Sequence, residues 1–196
     1  GNRSHMIVLG LGFTDHEASA ALVVDGVLKT AIARERLTRL KRDGKLFGSK
    51  KLDLSLAIRY CLEENRLTLR DVGLIVWSHI DHLSAKKLTV LLAVEGSMDF
   101  SGIPLLVLPH HFAHACCAFY LSPFTEAAVL VADGNGGTLD GLVGDCSGSE
   151  AESVRAGSTI IQDLLEGQTG IRRELESFYH CDGQEWKSLR KIVGDC

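Results

Sequence analysis

Two histidines and one aspartate have the residue types and the spacing of a metal site. His110 and His114 lie four positions apart in the segment PHHFAH. In a helix, side chains at positions i and i+4 share one face, with Cβ atoms about 6 Å apart, so two imidazoles can reach one ion. Neutral imidazole suits iron, zinc, nickel or copper better than magnesium. Asp133 follows an apolar run that predicts a strand, and open α/β sheets usually hold ligands at the carboxyl ends of their strands. These three residues predict a metal site with open positions; the alternative is that the histidines only cap or pack the start of a helix.

Glycines follow the aspartate, at Gly134, Gly136 and Gly137. Glycine permits positive φ and lets backbone N–H groups approach an anion closely, which a phosphate-binding turn needs. A DGxG string alone is common in hairpins. Beside two candidate metal ligands it is more specific, so Gly134 and Gly136 are the predicted nucleotide contacts.

A second polar turn, GLGFTDHEAS, contains His16 between two predicted strands. Because the unperturbed pKa of histidine lies near neutrality, His16 could act as a general base, or bind an anion when protonated. A merely solvated histidine is the alternative. Basic side chains also recur through residues 34–42, RERLTRLKR, and predict either a contact with an anionic ligand or a solvated face.

Composition favours an ordered protein with one core, or at most two small ones, since the chain has 196 residues, 45% apolar and 23% charged. Residues 1–5, GNRSH, resemble an expression-tag remnant. No apolar run reaches the roughly 20 residues of a membrane span, and no segment has the pattern of a secretory signal peptide, so we expect a cytoplasmic protein without a membrane partner.

The cysteines and the net charge exclude two further classes. Six cysteines without a CxxC pair predict reduced thiols, and the net charge of −4 does not favour binding to nucleic acid.

The periodicity of apolar residues predicts the elements that would position these side chains. Asp25-Gly26 is the dipeptide that type I′ hairpin turns prefer, and it joins two of the first three strands. Two of the later strands, at 73–77 and 127–132, are continuous apolar runs without alternating polar residues. They are therefore expected to be buried on both faces. The order βββαβαβ predicts an α/β fold with a mixed sheet, as in an actin-like (ASKHA, ribonuclease H-like) subdomain. The strands are expected at 7–10, 19–24, 27–33, 73–77, 105–108 and 127–132, and the helices at 53–65, with Asp53 as N-cap, 84–94 and 111–121.

Four segments resemble the O-carbamoyltransferases of antibiotic and nodulation-factor biosynthesis. They are GFTDHEASAALVVDG (12–26), ARERLTRLKRDG (33–44), PHHFAHACCAFYLSPF (109–124) and VLVADGNG (129–136). The segment ESFY at 176–179, with Gly183, is similar to a later part of those enzymes. The tRNA threonylcarbamoyl-transfer ATPases share the histidine pair but lack much of the rest. The resemblance identifies residues 6–196 as the amino-terminal part of an actin-like carbamoyltransferase domain.

The resemblance implies an enzyme in which ATP and carbamoyl phosphate form carbamoyl-adenylate, and the carbamoyl group passes to a hydroxyl of a small natural product or sugar. His110, His114 and Asp133 would hold a divalent metal against the adenylate phosphate, with iron expected first and zinc or magnesium as alternatives. His16 would be the base for the acceptor hydroxyl, and Lys41 would bind the activated carbamoyl group or phosphate.

Two departures from the family bear on these expectations. Glu17 replaces the usual aspartate in the turn beside His16. Family members also run to several hundred residues, so the second actin-like half and the adenylate-forming domain would be absent here, and the isolated chain should be a poor catalyst. The alternatives are a tRNA threonylcarbamoyl-transfer ATPase-like protein and a non-catalytic actin-like binding domain.

Overall fold

The chain folds around two sheets, each with its own buried residues. The computed structural model describes residues 5–13, 18–41, 54–79, 98–134, 136–137 and 172–195. The chain divides into two compact units, one of residues 1–78 with 83–107 and the other of residues 79–82 with 108–196. Each unit has a separate hydrophobic cluster, so there are two small cores rather than the single one expected by default.

The sheet of the first unit confirms the predicted meander. Its strands are β1 (Ile7–Phe13), β2 (Ala18–Val24), β3 (Val27–Ala33), β4 (Leu74–His79) and β5 (Leu105–Pro109). They lie in the order β3-β2-β1-β4-β5, with β1, β2 and β3 antiparallel and β4 parallel to β1. This sheet confirms the predicted mixed α/β arrangement, and its strand order agrees with the expected actin-like, ribonuclease H-like subdomain. The helix predicted at 84–94 lies outside the described residues.

The hairpin turn between β2 and β3 has the predicted geometry. Asp25 has φ 51° and Gly26 has φ 78°, both in the left-handed region that a type I′ turn requires. The Asp25 carboxylate also accepts a hydrogen bond of 2.9 Å from the backbone N–H of Met6. The turn is therefore tied to the start of β1.

Replacing Gly26 with valine should destabilise the first unit by ~1 kcal/mol or more, because a β-branched residue is strained at positive φ. A Cβ atom at Gly26 would meet nothing within 4 Å, so the effect would come from the backbone alone. Thermal unfolding measures it, and Gly26→Asn, which tolerates this conformation, is the matched control. Equal midpoints for the valine and asparagine variants would contradict the turn.

The described residues of the first unit include two α-helices. The predicted helix is α2 (Ser55–Glu64), and the expected apolar positions, including Leu54 just before it, are all buried: Leu54, Ala57, Ile58, Cys61 and Leu62. Leu54 stands at the N-cap without a side-chain hydrogen bond, and Asp53 lies outside the described residues. The basic run begins as a short helix, α1 (Arg34–Thr38), which buries no residue and ends at Arg39 with φ 64°.

In the second unit, the residues that the structure describes form a helix and a three-stranded antiparallel sheet. These are α3 (His110–Tyr120), β6 (Ala127–Ala132), β7 (Arg172–Cys181) and β8 (Trp186–Asp195), with the strands in the order β6-β7-β8. The prediction of a buried strand at 127–132 is wrong in burial, since Val131 is its one buried residue. In the described part of the chain, no helix is both long and apolar enough to cross a membrane.

Bulges in β7 and β8 change which side chains face the interior. The strand register shifts between Glu174 and Glu176, so that Leu175 is an extra residue on β7, and Leu189 is an extra residue on β8. A bulge interrupts the period of two. Glu174 and Ser177, three positions apart, are consequently both fully buried.

Candidate metal centre

The junction of β5 and α3 positions the two histidines. Leu108, which precedes a proline, is held extended, and Pro109 stands at the N-cap with φ −56° and ψ 142°, so the helix begins at His110. One turn later His114 lies on the same face, and the two Nε2 atoms are 3.2 Å apart. Their rings meet edge to face with centroids 4.5 Å apart. The sequence spacing therefore produces the expected pair of converging imidazoles.

Asp133 joins this pair from the end of β6. Its Oδ2 atom lies 2.8 Å from Nε2 of His110 and 3.9 Å from Nε2 of His114. The backbone N–H of Asp133 donates to the carbonyl of Leu175 at 3.0 Å, which fixes the residue to β7. One ligand atom from each of the three residues lies within 4.8 Å of the others. The structure brings the predicted ligand set together.

Hydrogen bonds satisfy this arrangement poorly. Nε2 of His110 carries either one proton or one lone pair, yet it faces both the Asp133 carboxylate and Nε2 of His114. A proton on this nitrogen serves both neighbours only as one shared, bent hydrogen bond, and without that proton a lone pair faces the carboxylate. A divalent cation would satisfy all three donor atoms at once, so this donor set fits an imidazole-binding metal.

The site is buried on one side and open on the other. The side chains of His110, His114 and Asp133 are 11%, 54% and 33% exposed. Partial burial, and then the neighbouring His110, lower the pKa of His114, which favours the neutral imidazole that metals bind. The exposed side leaves room for a further ligand from solution.

The two glycines of the predicted phosphate turn differ from expectation. Neither Gly134 nor Gly136 has positive φ, so the turn does not use the backbone conformation that glycine permits there. Gly136 is instead required by close packing, because a Cβ atom there would collide with the carbonyl oxygen of Glu174 and with Nε2 of His111. Its N–H donates to the Glu174 carbonyl at 3.1 Å and is thus already used within the protein. Gly134 is exposed, and nothing lies within 4 Å of the position its Cβ would take.

Of the other two predicted residues, the structure describes Lys41 alone. Lys41 is exposed on the first unit, three residues beyond the end of α1. His16 lies outside the described residues. Their predicted roles stay predictions.

Sequence reasoning missed a group of buried polar side chains beneath the histidines. Nδ1 of His111 lies 2.8 Å from Oγ of Ser177. The ammonium of Lys191 donates to that same Oγ at 3.2 Å, to the hydroxyl of Tyr179 at 3.0 Å, and to the Glu174 carboxylate. Burial disfavours the charged form of Lys191, but the adjacent carboxylate outweighs this and raises the pKa of the ammonium. We call these five residues the buried polar network.

The buried polar network could not be predicted from the sequence. Glu174 and Lys191 belong to strands rich in charged residues, and such a composition predicts exposure to solvent. Burial lowers the pKa of His111, which is fully buried, so its imidazole is neutral. Its Nε2 atom and Oε2 of Glu174 have no hydrogen-bond partner among the described residues.

Comparison with known proteins gives one family match and similarity to longer proteins. Residues 7–101 match the family described as carbamoyltransferase N-terminus. A protein of Synechocystis, sll1178, is 36% identical over 163 residues, covering 66% of this chain and 25% of its own. The nodulation protein NolNO of Sinorhizobium fredii is 31% identical over 159 residues, covering 71% of this chain and 22% of its own. The chain thus spans about a quarter of the length of these relatives. Among solved structures, YeaZ from Pseudomonas aeruginosa aligns with a TM-score of 0.47 and 12% identity over 96% of this chain and 66% of YeaZ, a likeness too low to bear on function.

Proposed function

We propose that this chain, of which residues 7–101 match the carbamoyltransferase amino-terminal family, takes part in ATP-dependent transfer of a carbamoyl group to a hydroxyl. Hydrolysis of carbamoyl phosphate would release phosphate and give carbamate, whose oxygen would attack the α-phosphate of ATP to give carbamoyl-adenylate with release of pyrophosphate. The acceptor hydroxyl would then take the carbamoyl group and displace AMP. The acceptor would be a small natural product or sugar. The observation that carries this proposal is the convergence of His110, His114 and Asp133 in a chain of this family.

These three residues would hold a divalent metal. Two imidazoles and one carboxylate favour iron or zinc over magnesium, which prefers oxygen ligands. When bound, the metal would supply a Lewis acid that balances the phosphate charge of the adenylate and orients the leaving group. Iron is the first expectation.

The surroundings of the ligands suit an anionic substrate. His114 and Asp133 are partly exposed, so a phosphate can reach the open side of the site. Gly134 beside them has no side chain to block its approach to the backbone, whereas Gly136 would contribute by holding the turn against β7. Lys41 would place a positive charge near the activated carbamoyl group, and His16 would take the proton of the acceptor hydroxyl.

Replacing His114 with alanine should weaken binding of a divalent transition metal by well over tenfold, or ~1.4 kcal/mol or more, because one of three ligands is lost. His114 is half-exposed, so the fold should tolerate the change. Metal content after dialysis against Fe²⁺ or Zn²⁺ measures the effect. His180→Ala is the control, since this imidazole is not one of the three ligands. Its Nε2 atom pairs with the Glu126 carboxylate at 3.0 Å. Equal metal content in wild type and His114→Ala would contradict the site.

Activity is tested in the complete parent protein, supplied with ATP, carbamoyl phosphate and a hydroxyl acceptor. We expect pyrophosphate release that depends on carbamoyl phosphate, and a carbamoylated product that falls in His114→Ala but not in His180→Ala. Pyrophosphate release that ignores carbamoyl phosphate would contradict the proposed reaction.

A further inference from the structure

The metal ligands come from two separate parts of the second unit, and something must fix one part against the other. His110 and His114 belong to the first two turns of α3, while Asp133 belongs to the end of β6 and the glycine turn. A metal site needs its ligands within a few tenths of an ångström of their positions, which depends on side chains and hydrogen bonds around the ligands. Both parts pack onto β7, at positions only a few residues apart.

The first turn of α3, which bears His110, is anchored to β7 through His111. This residue follows the first ligand directly, and its side chain is fully buried. Its Nδ1 atom lies 2.8 Å from Oγ of Ser177 on β7. The orientation of the first turn of α3 therefore depends on where that hydroxyl stands.

The glycine turn after Asp133 is anchored to β7 through Glu174. The N–H of Glu174 donates to the carbonyl of Gly137 and its carbonyl accepts from the N–H of Gly136, each at 3.1 Å. The neighbouring carbonyl of Leu175 accepts from the N–H of Asp133 at 3.0 Å. The position of the third ligand thus depends on how this end of β7 is held.

Lys191 connects the two anchors. Its ammonium, whose side chain is 3% exposed, donates both to the Glu174 carboxylate and to Oγ of Ser177. The hydroxyl of Tyr179 takes its third hydrogen bond, so all three donors are used. The Leu175 bulge makes this contact available, because it brings Glu174 and Ser177 to the same face of the strand.

We propose that Lys191 is a positioning residue for the metal centre, which holds the helix that bears His110 and His114 in register with the turn that bears Asp133. This inference rests on the proposed function. Lys191 would not touch the metal or the substrate, and it would act through Ser177 and Glu174. A purely structural role would lower stability alone; a positioning role also changes how the metal is coordinated.

The test uses Co²⁺, whose visible absorption reports the number and geometry of its ligands. In Lys191→Met we expect Co²⁺ to bind at least about tenfold more weakly, with an altered visible spectrum, as for loss of other groups that orient metal ligands. Tyr179→Phe is the matched control. It removes one hydrogen bond of the same ammonium, but it keeps the ring that packs on Phe112 and leaves the bonds of Lys191 to Glu174 and Ser177 in place. We expect Tyr179→Phe to lose stability in thermal unfolding while it keeps the wild-type Co²⁺ affinity and spectrum within about twofold.

Each outcome decides the inference. Wild-type affinity and spectrum in Lys191→Met would overturn it, and so would equal changes in Lys191→Met and Tyr179→Phe. If Lys191→Met does not fold, Ser177→Ala decides, because it removes the hydroxyl that links Lys191 to His111 without leaving a buried charge unpaired. Weaker Co²⁺ binding and a changed spectrum in Ser177→Ala support the inference, and unchanged ones overturn it. If the wild-type chain binds no Co²⁺, the metal centre of the proposed function fails and this inference fails with it.

Discussion

His16→Asn, made in the complete parent protein, should slow carbamoyl transfer by ~10²–10⁴-fold, the usual contribution of a general base. His16 corresponds to the turn histidine of the family that the sequence resembles, and in the proposed reaction it takes the proton of the acceptor hydroxyl. Asparagine keeps a polar side chain of similar size but cannot accept a proton near neutral pH. Formation of the adenylate needs no such base, so pyrophosphate release should survive the substitution.

The two steps are separated by following pyrophosphate and carbamoylated product in the same reaction. His180→Asn is the control, since it removes an imidazole from the surface of the second unit. Product formation within about twofold of wild type in His16→Asn would remove the residue from the transfer step. Loss of both steps together would instead make it a ligand of an anion or a determinant of the fold.

Gly136→Ala should destabilise the second unit by about 3 kcal/mol, the upper end of what overpacking costs. The added Cβ would meet the carbonyl oxygen of Glu174, its Cβ at 2.8 Å and the imidazole of His111. The first of these is backbone within β7 and cannot rotate away. Relief requires the turn to leave β7, which would also displace Asp133 and weaken metal binding.

Gly134→Ala is the matched control, because its Cβ would meet nothing within 4 Å and its φ is not positive. We expect the free energy of unfolding of Gly134→Ala to stay within about 0.5 kcal/mol of wild type.

Tryptophan fluorescence can measure the unfolding of the second unit. Trp77 and Trp186 are the two tryptophans of the chain. In a Trp77→Phe background the fluorescence of Trp186, which packs in the second unit, follows urea unfolding of that unit. Equal midpoints for Gly136→Ala and Gly134→Ala would show that the close packing is absent.

Local patterns predicted much of the first unit. The meander, the Asp25–Gly26 turn and the buried face of α2 each depend on residues close in sequence, whose period or turn chemistry is visible directly. The pairing of His110 with His114 is also local, because one helical turn separates them. Asp133 could be added because strand ends are where α/β sheets hold ligands.

The second unit was harder to predict, since its strands do not follow simple rules. Strands β7 and β8 were missed because their bulges interrupt the alternation of polar and apolar residues. The close packing of Gly136 against β7 was not predicted, because only the folded chain brings Glu174 and His111 next to this glycine. The contact of Lys191 with Glu174 joins residues 17 positions apart across two bulged strands, and no local pattern marks it.

The bulge at Leu175 makes the chain length between Glu174 and Ser177 a determinant in its own right. In a regular strand, side chains three positions apart point to opposite faces, so Glu174 and Ser177 share an ammonium only because of the bulge. A one-residue gap at Leu175 in a relative would therefore indicate a regular strand, in which the two side chains stand two positions apart and again share a face. A relative that kept all four residues in a regular strand would place the carboxylate on the outer face of the sheet, and it would need another way to hold its glycine turn. The two-residue interval from 174 to 177 is as much a signature of this site as the three-residue interval between the histidines.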